Sequence, residues 1–199
     1  MPRSWFARSA LIVARELLGK YLVRRYRGRT IAAMITEVEA YTGPEDLASH
    51  AARGRRTART AVMFGPAGRW YVYFTYGMHW LVNIVAGREG HPAAVLIRGV
   101  EGVSGPARVA RTFRIAGSFT DMPANRRSGL WIEDRGVRVS RIVRGPRVGV
   151  GYAGAVWAKK PYRFMVSSVE SDSASAPFFF DAESKKNNTL SRRRAHSRS

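Results

Sequence analysis

Two acidic residues follow an apolar stretch in the segment TIAAMITEVEAY. Alternate side chains of an extended strand share a face, so the apolar face that starts at Ile31 is expected to turn acidic at Glu37 and Glu39. Tyr41 comes next on that face. A carboxylate beside water-excluding rings can act as a general base that activates water for hydrolysis, because burial tunes its pKa. The alternative is an edge strand whose acids are solvated or neutralised by arginine, since ion-pair networks also perturb carboxylates.

The segment WYVYFTYGMHW carries six aromatic rings in eleven positions. Strand alternation places Tyr71 and Tyr73 on one face. Tyr76 precedes a glycine, at which the chain can bend and present the ring outward. Aromatic faces stack on nucleobases with about 1–3 kcal/mol per base, and tyrosine also places a hydroxyl. Because aromatic residues on strands more often belong to a core, Trp70 and Phe74 are interpreted as core residues.

Three single polar residues stand out against their surroundings. His50 follows the segment EDLAS, and a lone histidine is usually structural. It is a candidate hydrogen-bond donor to a ligand, whereas a metal site is not indicated because clustered partners are missing. Asn83 and Arg98 lie in the otherwise apolar strands LVNIVA and AVLIRGVE. A buried polar group needs a partner or a purpose there.

The chain is strongly basic, with 34 Lys+Arg against 14 Asp+Glu and a formal net charge of +20. Such an excess favours a polyanionic partner, and nucleic acid first. A compositional bias toward arginine explains the 29 Arg against 5 Lys but not the shortage of acids. The basic, Gly/Pro-punctuated loop 53–69 contains Arg53, Arg55 and Arg56, which are the candidate phosphate contacts.

Several classes of protein are excluded by composition. The absence of cysteine excludes disulfides, thiol catalysis and cysteine-ligated zinc sites. The first residues are broken by charge and do not form the apolar core of a signal peptide, and no run of about 20 apolar residues would span a membrane. We therefore expect a cytoplasmic, nucleoid-associated protein. At 199 residues, one folded domain is the expectation.

The elements that must position these residues are short and mostly extended. The spacing predicts a helix within residues 5–18 and another over 105–113, the second started by Pro106. A turn and short helix are expected around TGPEDLAS. Strands are expected at 21–26, 30–41, 70–75, 81–86 and 93–98, with further short ones downstream. The segment 169–199 lacks periodicity and is predicted to be a disordered polar and basic tail.

Together these segments resemble the 3-methyladenine (alkylpurine) DNA glycosylases of the AAG/MPG type. The resemblance runs in order over residues 5–167 and is carried by ELLGKYLV, TEVEAYTGPEDLASHAARGRRTART, MFGPAGRWYVYFTYGMHWLVNIV, AVLIRGVEG, GPARVARTF and RVGVGYAGAVWAKKPYRF. It implies an α+β fold, with a single compact domain at 1–168 built around a curved antiparallel β-sheet with peripheral helices. The stretch DMPANRRSGLW departs from the family pattern, and nothing is carried over to it.

The resemblance also implies an activity. Such enzymes are monofunctional, use no metal or cofactor, flip a damaged purine from duplex DNA and hydrolyse its N-glycosidic bond. The implied partner is damaged double-stranded DNA, bound by a monomer. Four lesions stay open as the preferred substrate: 3-methyladenine, 7-methylguanine, hypoxanthine and ethenoadenine. Strand cleavage through a Schiff base is not expected near the implied site, because Lys20 is the only lysine before Lys159, although the latter leaves that question open.

The resemblance assigns roles to residues that match the family's motifs. Glu39 corresponds to the general base, and Arg98 and the backbone carbonyl of Val148 to the other groups that hold the attacking water. Glu37 does not occupy the catalytic position and is interpreted as a paired or supporting acid. Tyr41, His50 and Tyr73 correspond to the pocket walls around the flipped base. Asn83 corresponds to the residue that crowds the 2-amino group of guanine. Tyr76 corresponds to the wedge that fills the gap left in the DNA helix, with Met78 beside it.

Two other functions compete with the glycosylase. One is a noncatalytic module that grips damaged or single-stranded nucleic acid with its rings and arginines, and the other is an enzyme that acts on RNA. The placement of Glu39, Tyr41 and Arg98 as polar groups that match the family favours catalysis, because a simple binder has no need of a buried acid.

Overall fold

An antiparallel β-sheet with few helices forms the fold, as the resemblance predicts. The computed structural model describes residues 1–170 and a strand at 179–182. The strands are β1 (Tyr21–Tyr26), β2 (Arg29–Tyr41), β3 (Trp70–Thr75), β4 (His79–Ala86), β5 (Ala93–Val100), β6 (Val103–Ser104), β7 (Leu130–Glu133), β8 (Val139–Gly145), β9 (Arg163–Val169) and β10 (Phe179–Ala182). The α-helices are α1 (Arg3–Phe6), α2 (Ala10–Leu17), α3 (Pro106–Thr112) and α4 (Gly154–Lys159).

The long strand β2 organises the sheet, whose central order is β3-β4-β5-β2-β1-β7. Its first part pairs with β1 and β10, and its second part pairs with β5 and β9. Strand β8 continues the sheet beyond β9, and β6 extends β5. Because β2 changes partners along its length, it connects the two regions of the sheet and carries its C-terminal half into the strands that hold the candidate site residues.

A β-bulge changes which face of β2 the side chains occupy. The pairing of β2 with β5 shifts register on both sides of Glu37. Ile31 and Ile35 lie in the main core, but further along the strand the core residues are Val38 and Ala40. An inserted residue in a ladder moves every following side chain to the other face. The expectation that Glu37 and the acids after it continue the apolar face of Ile31 is therefore wrong.

The main core lies between one face of the sheet and the helices α2 and α3. It contains the apolar face of α2, including Val13 and Leu17, and Val109 of α3. Trp70 is completely buried in it, as predicted, and each such aromatic contributes about 1.5–3 kcal/mol of hydrophobic free energy. Helix α3 begins at Pro106, where the fixed φ and the missing N–H of proline are tolerated. With this face covered by helices, the opposite face of β3, β4 and β5 is left for a site.

The turn and short helix expected around TGPEDLAS are present, and the helix is a single 3₁₀ turn at Ala52–Gly54. The carboxylate of Asp46 accepts hydrogen bonds from the backbone N–H groups of Thr42 and Ala48, which holds the preceding segment in turns.

Phe74 was expected in the core, but its side chain is 46% exposed near the end of β3. The predicted disorder of segment 169–199 is wrong where the structure describes it: Val169 ends β9, the N–H of Glu170 donates to the carbonyl of Arg138, and β10 pairs with residues 29–32 of β2. Residues 171–178 and 183–199 lie outside the described residues.

The helices of the described chain are short. None of those in residues 1–170 is long and apolar enough to cross a membrane.

Candidate active site

Four neighbouring strands place one residue each in a row across the sheet. Glu39 of β2 lies opposite Leu96 of β5, Leu96 lies opposite Asn83 of β4, and Asn83 lies opposite Tyr71 of β3. Residues directly opposite each other share a face, with Cβ atoms about 4.5–5.5 Å apart. The row therefore joins a carboxylate, an amide and a phenol that are far apart in the sequence, on the face that the helices leave free.

A cavity of about 330 Å³ opens over this row. Small-molecule sites span about 300–1,000 Å³, so the cavity suits one planar base rather than several nucleotides. All seven residues predicted for catalysis or for binding a base line this one cavity, namely Glu39, Tyr41, His50, Tyr73, Asn83, Arg98 and Val148.

Glu39 is the buried acid of the cavity, with no solvent-exposed surface. Its Oε1 accepts a hydrogen bond from the backbone N–H of Val148 at 2.8 Å, and its Oε2 accepts one from the Tyr41 hydroxyl at 2.9 Å. The guanidinium of Arg98 lies 3.4 Å from Oε1. Burial raises the pKa of Glu39, while Arg98, the Val148 N–H and the Tyr41 hydroxyl lower it. The result is a carboxylate held in one geometry and made more basic than an exposed glutamate.

Glu37 is paired away from the cavity, in agreement with its interpretation as a supporting acid. Its Oε1 accepts hydrogen bonds from Arg98 Nε at 3.0 Å and from Arg163 Nη1 at 3.3 Å. Arg98 thus touches both acids, and its contact with Glu37 orients the guanidinium toward Glu39. Since Glu37 does not line the cavity, Glu39 is the acid placed to meet a bound molecule.

Removing the charge of Arg98 should raise the pKa of Glu39. Arg98 is the largest of the influences that lower this pKa. In Arg98→Gln, less therefore counteracts the rise in pKa that burial causes. The test is a pH titration of the glutamate side chains by carboxyl-carbon NMR, in which the Glu39 resonance should titrate at higher pH than in the wild type. Arg163→Gln is the matched control, because Arg163 contacts Glu37 and should leave Glu39 unchanged. An unchanged or lower Glu39 pKa in Arg98→Gln would contradict this electrostatic assignment.

Three rings form the aromatic wall of the cavity. His50 meets Tyr73 edge to face at 4.7 Å between centroids, and Tyr71 and Tyr73 are 5.3 Å apart. The Nδ1 atom of His50 lies 2.8 Å from the Tyr71 hydroxyl. Burial, and secondarily the charge of Arg59, lowers the pKa of His50 to about 4, so the imidazole is neutral at pH 7. Arg59 Nη2 lies 2.9 Å from Nε2 and 3.3 Å from Nδ1 of this ring, so the guanidinium contacts the imidazole directly.

The β3–β4 hairpin presents Tyr76 at the mouth of the cavity. Its φ is 51° and that of Gly77 is 66°, and the Met78 N–H donates to the Thr75 carbonyl, as in a tight primed turn. A left-handed conformation costs about 1–2 kcal/mol in a residue other than glycine. Tyr76 is nevertheless 85% exposed, so the chain's own core does not offset this cost, and Met78 beside it is 69% exposed. Such strain points to a functional position.

The predicted basic contacts lie on an exposed loop beside the cavity. Arg53, Arg55 and Arg56 are all exposed, and within residues 1–170 none of them forms an ion pair. Arg56 covers the ring of Phe64, with 5.4 Å from its guanidinium carbon to the centroid. Their charges are thus free to meet a polyanion, and contact with phosphate stays a prediction.

A known family matches the sequence of this chain. The family model described as Methylpurine-DNA glycosylase (MPG) matches residues 4–104 and 101–170. The chain belongs to this family.

Relatives of the methylpurine-DNA glycosylase family align over most of the chain. A protein of Myxococcus xanthus is 45% identical over 186 residues, which cover 89% of this chain and 95% of its own. Proteins of Anaeromyxobacter dehalogenans (strain 2CP-1) and Methanocella arvoryzae are 44% and 40% identical; each alignment covers 82% of this chain, with 80% and 90% of their own. All three are named "Putative 3-methyladenine DNA glycosylase". The chain is thus a member of a DNA glycosylase family, whose substrate class is DNA.

The structure also brings residues to the candidate site that sequence reasoning missed. Asp46 and Arg147 form a fully buried ion pair behind the cavity, with Nη2 to Oδ1 at 2.8 Å. Arg147 also donates to the carbonyl of Ala40, next to Glu39. Arg59 is the third residue that sequence reasoning missed, although it lies in the basic loop 53–69. No local pattern marks these pairings, because Arg147 and Asp46 are 101 positions apart.

Proposed function

We propose that this member of the methylpurine-DNA glycosylase family flips damaged purines from duplex DNA and hydrolyses their N-glycosidic bond with a water activated by Glu39. The observation that carries the proposal is Glu39 itself: a fully buried carboxylate in a base-sized aromatic cavity, held by two hydrogen bonds and an ion pair with Arg98. A noncatalytic DNA binder gains nothing from burying an acid, because an anion repels phosphates and its desolvation costs free energy.

In this reaction Glu39 acts on the water and on the sugar. The water oxygen attacks C1′ of the deoxyribose while the C1′–N bond breaks, and the bonding pair leaves with the purine. The carboxylate accepts the proton of the water. Its negative charge also stabilises the positive charge that develops on the sugar ring. Arg98 and the backbone at Val148 hold the carboxylate in place, and the predicted role of the Val148 carbonyl is to accept a hydrogen bond from the same water.

The aromatic wall is suited to an extruded purine. The ring of Tyr73 supplies a stacking surface, and Tyr41 and His50 bound the cavity beside it. Asn83 is buried and donates through Nδ2 to the carbonyl of Tyr71 at 3.0 Å, which restricts its rotation. A fixed side chain at that position would crowd the 2-amino group of guanine, so that undamaged guanine enters less readily than purines without this group.

Tyr76 is proposed to fill the gap that the flipped base leaves in the duplex. Extrusion costs a few kcal/mol, and one stacked ring returns about 1–3 kcal/mol. We expect Tyr76→Ser to slow base release from duplex DNA by about tenfold or more, and to slow release from single strands much less, because no gap needs filling there. Single-turnover release from matched paired and unpaired substrates measures the difference.

Val156→Ser is the control for the Tyr76 variant. Val156 is also 69% exposed and apolar but lies on α4, outside the cavity lining. It should affect both substrates alike. Equal loss on paired and unpaired substrates in Tyr76→Ser would show that the ring has no role specific to the duplex.

The activity itself is tested with a panel of duplexes that each contain one lesion. 3-Methyladenine, 7-methylguanine, hypoxanthine and ethenoadenine are incubated with the protein, and abasic sites are then cleaved with alkali. Release of at least one of these bases, with strand breaks only after alkali, is the expected result. Breaks without alkali would indicate lyase chemistry. Binding of the lesion duplexes without release of any base would favour the noncatalytic module.

A further inference from the structure

Arg59 contacts two rings of the aromatic wall. Its guanidinium carbon lies 4.5 Å from the centroid of the Tyr73 ring, and its Nη2 donates to His50. Tyr73 and His50 line the cavity, whereas Arg59 does not. A base bound in the cavity is expected on the other face of the Tyr73 ring. Arg59 is exposed on the loop, so its contact with Tyr73 is not forced by close packing.

A cation on one face of an aromatic ring changes what the other face attracts. The negative potential of the ring face is the source of cation–π attraction. A guanidinium already in contact with one face uses that potential and adds its own positive charge. A base stacked on the opposite face, at about 3.5 Å, would lie about 8 Å from the guanidinium. A neutral purine is little affected at this distance, but a purine that carries a positive charge is repelled.

We propose that Arg59, acting through Tyr73, sets the balance between cationic and neutral purines in the cavity and weakens the binding of cationic ones. The inference rests on the proposed function, because it assumes that a purine stacks on Tyr73. Two unit charges about 8 Å apart repel by an amount equivalent to about two- to thirtyfold in a binding constant, between the limits of water and a protein surface. Since Arg59 is exposed, about three- to tenfold is expected.

Binding, not rate, is the appropriate measure of this effect. A purine methylated at N7 or N3 loses its positive charge as the glycosidic bond breaks. Repulsion from Arg59 therefore weakens binding of the intact nucleotide, while its relief favours departure of the base. The two effects oppose each other in a kcat/KM value and are separated when no bond is cleaved.

The experiment compares two lesion duplexes in the non-cleaving Glu39→Gln background. One contains 7-methylguanine, whose nucleotide is a cation, and the other contains hypoxanthine, which is neutral. Adding Arg59→Gln should shift the ratio of their dissociation constants by about three- to tenfold in favour of 7-methylguanine. Arg55→Gln is the matched control: it removes the same charge from the same exposed loop, away from the ring, and should weaken both duplexes equally.

Two further arms separate the explanations. Arg59→Lys keeps the charge and should keep the ratio of the two dissociation constants within about twofold of that in the Glu39→Gln parent. A change as large as that of Arg59→Gln would instead assign the effect to the shape of the side chain. At a pH below the N1 pKa of 7,9-dimethylguaninium, this cation and neutral 9-methylhypoxanthine are titrated by NMR into proteins that retain Glu39, and Arg59→Gln should strengthen binding of the cation alone. An unchanged ratio in both assays overturns the proposal. If the wild type releases no base from any lesion duplex but Arg59→Gln shifts the ratio of the dissociation constants of the two small molecules, the proposed function fails and the role of Arg59 stands.

Discussion

Glu39→Gln is expected to abolish base release while leaving lesion binding intact. General-base catalysis contributes about 10²–10⁴-fold, and loss of the charge that stabilises the oxocarbenium-like transition state adds to this. The swap is nearly isosteric: the glutamine Oε1 can still accept the Val148 N–H, and its Nε2 can donate to the Tyr41 hydroxyl, which then accepts instead of donating. Binding to a hypoxanthine or ethenoadenine duplex should equal or exceed that of the wild type, because an anion near the phosphates is removed. Single-turnover release and equilibrium binding on the same duplex provide the two measurements.

Glu37→Gln is the matched control, since it makes the same change two residues earlier. Glu37 lies outside the cavity lining and is neutralised by Arg98 and Arg163, so its loss should impair release at least about tenfold less. Release near the wild-type rate by Glu39→Gln, with strong loss in Glu37→Gln, would transfer the catalytic role to Glu37.

Asp46→Asn is expected to cause the largest loss of stability. It leaves the Arg147 guanidinium buried without a counter-charge, and breaking a buried pair by removing one partner costs about 3–5 kcal/mol. Domains are stable by only about 5–15 kcal/mol, so the loss is a large fraction of the total. Urea denaturation at neutral pH measures the change in the free energy of unfolding. A variant that folds should also release base more slowly, because Arg147 holds the carbonyl of Ala40 next to Glu39 and directly precedes Val148, whose N–H donates to the Glu39 carboxylate.

The exposed pair of Arg3 and Glu89 provides the comparison for this variant. Its side chains are 62% and 61% exposed, and such pairs contribute about 0–1 kcal/mol. Glu89→Gln should therefore change the free energy of unfolding by less than about 1 kcal/mol. A similarly small loss in Asp46→Asn would mean that the buried pair is replaceable and does not hold the site together.

The sequence by itself determined the strands and most of the candidate site. Strand-like alternation in the aromatic segment placed Tyr71 and Tyr73 on one face, and both line the cavity. The glycine after Tyr76 correctly indicated a bend with an exposed ring. These features depend on neighbouring residues, so they are written in the local pattern. The resemblance then assigned roles to positions that the structure gathers around one cavity.

Only the tertiary structure decided which face the acids occupy and what holds them. The period of two applies only while the ladder of hydrogen bonds is unbroken, and the bulge beside Glu37 breaks it. Without this bulge Glu39 would point into the core and not into the cavity. The pairing of Arg147 with Asp46 and the stacking of Arg59 on Tyr73 depend on how distant segments meet in space. Local spacing carries no information about such contacts, because they join side chains of different segments that the tertiary structure brings together.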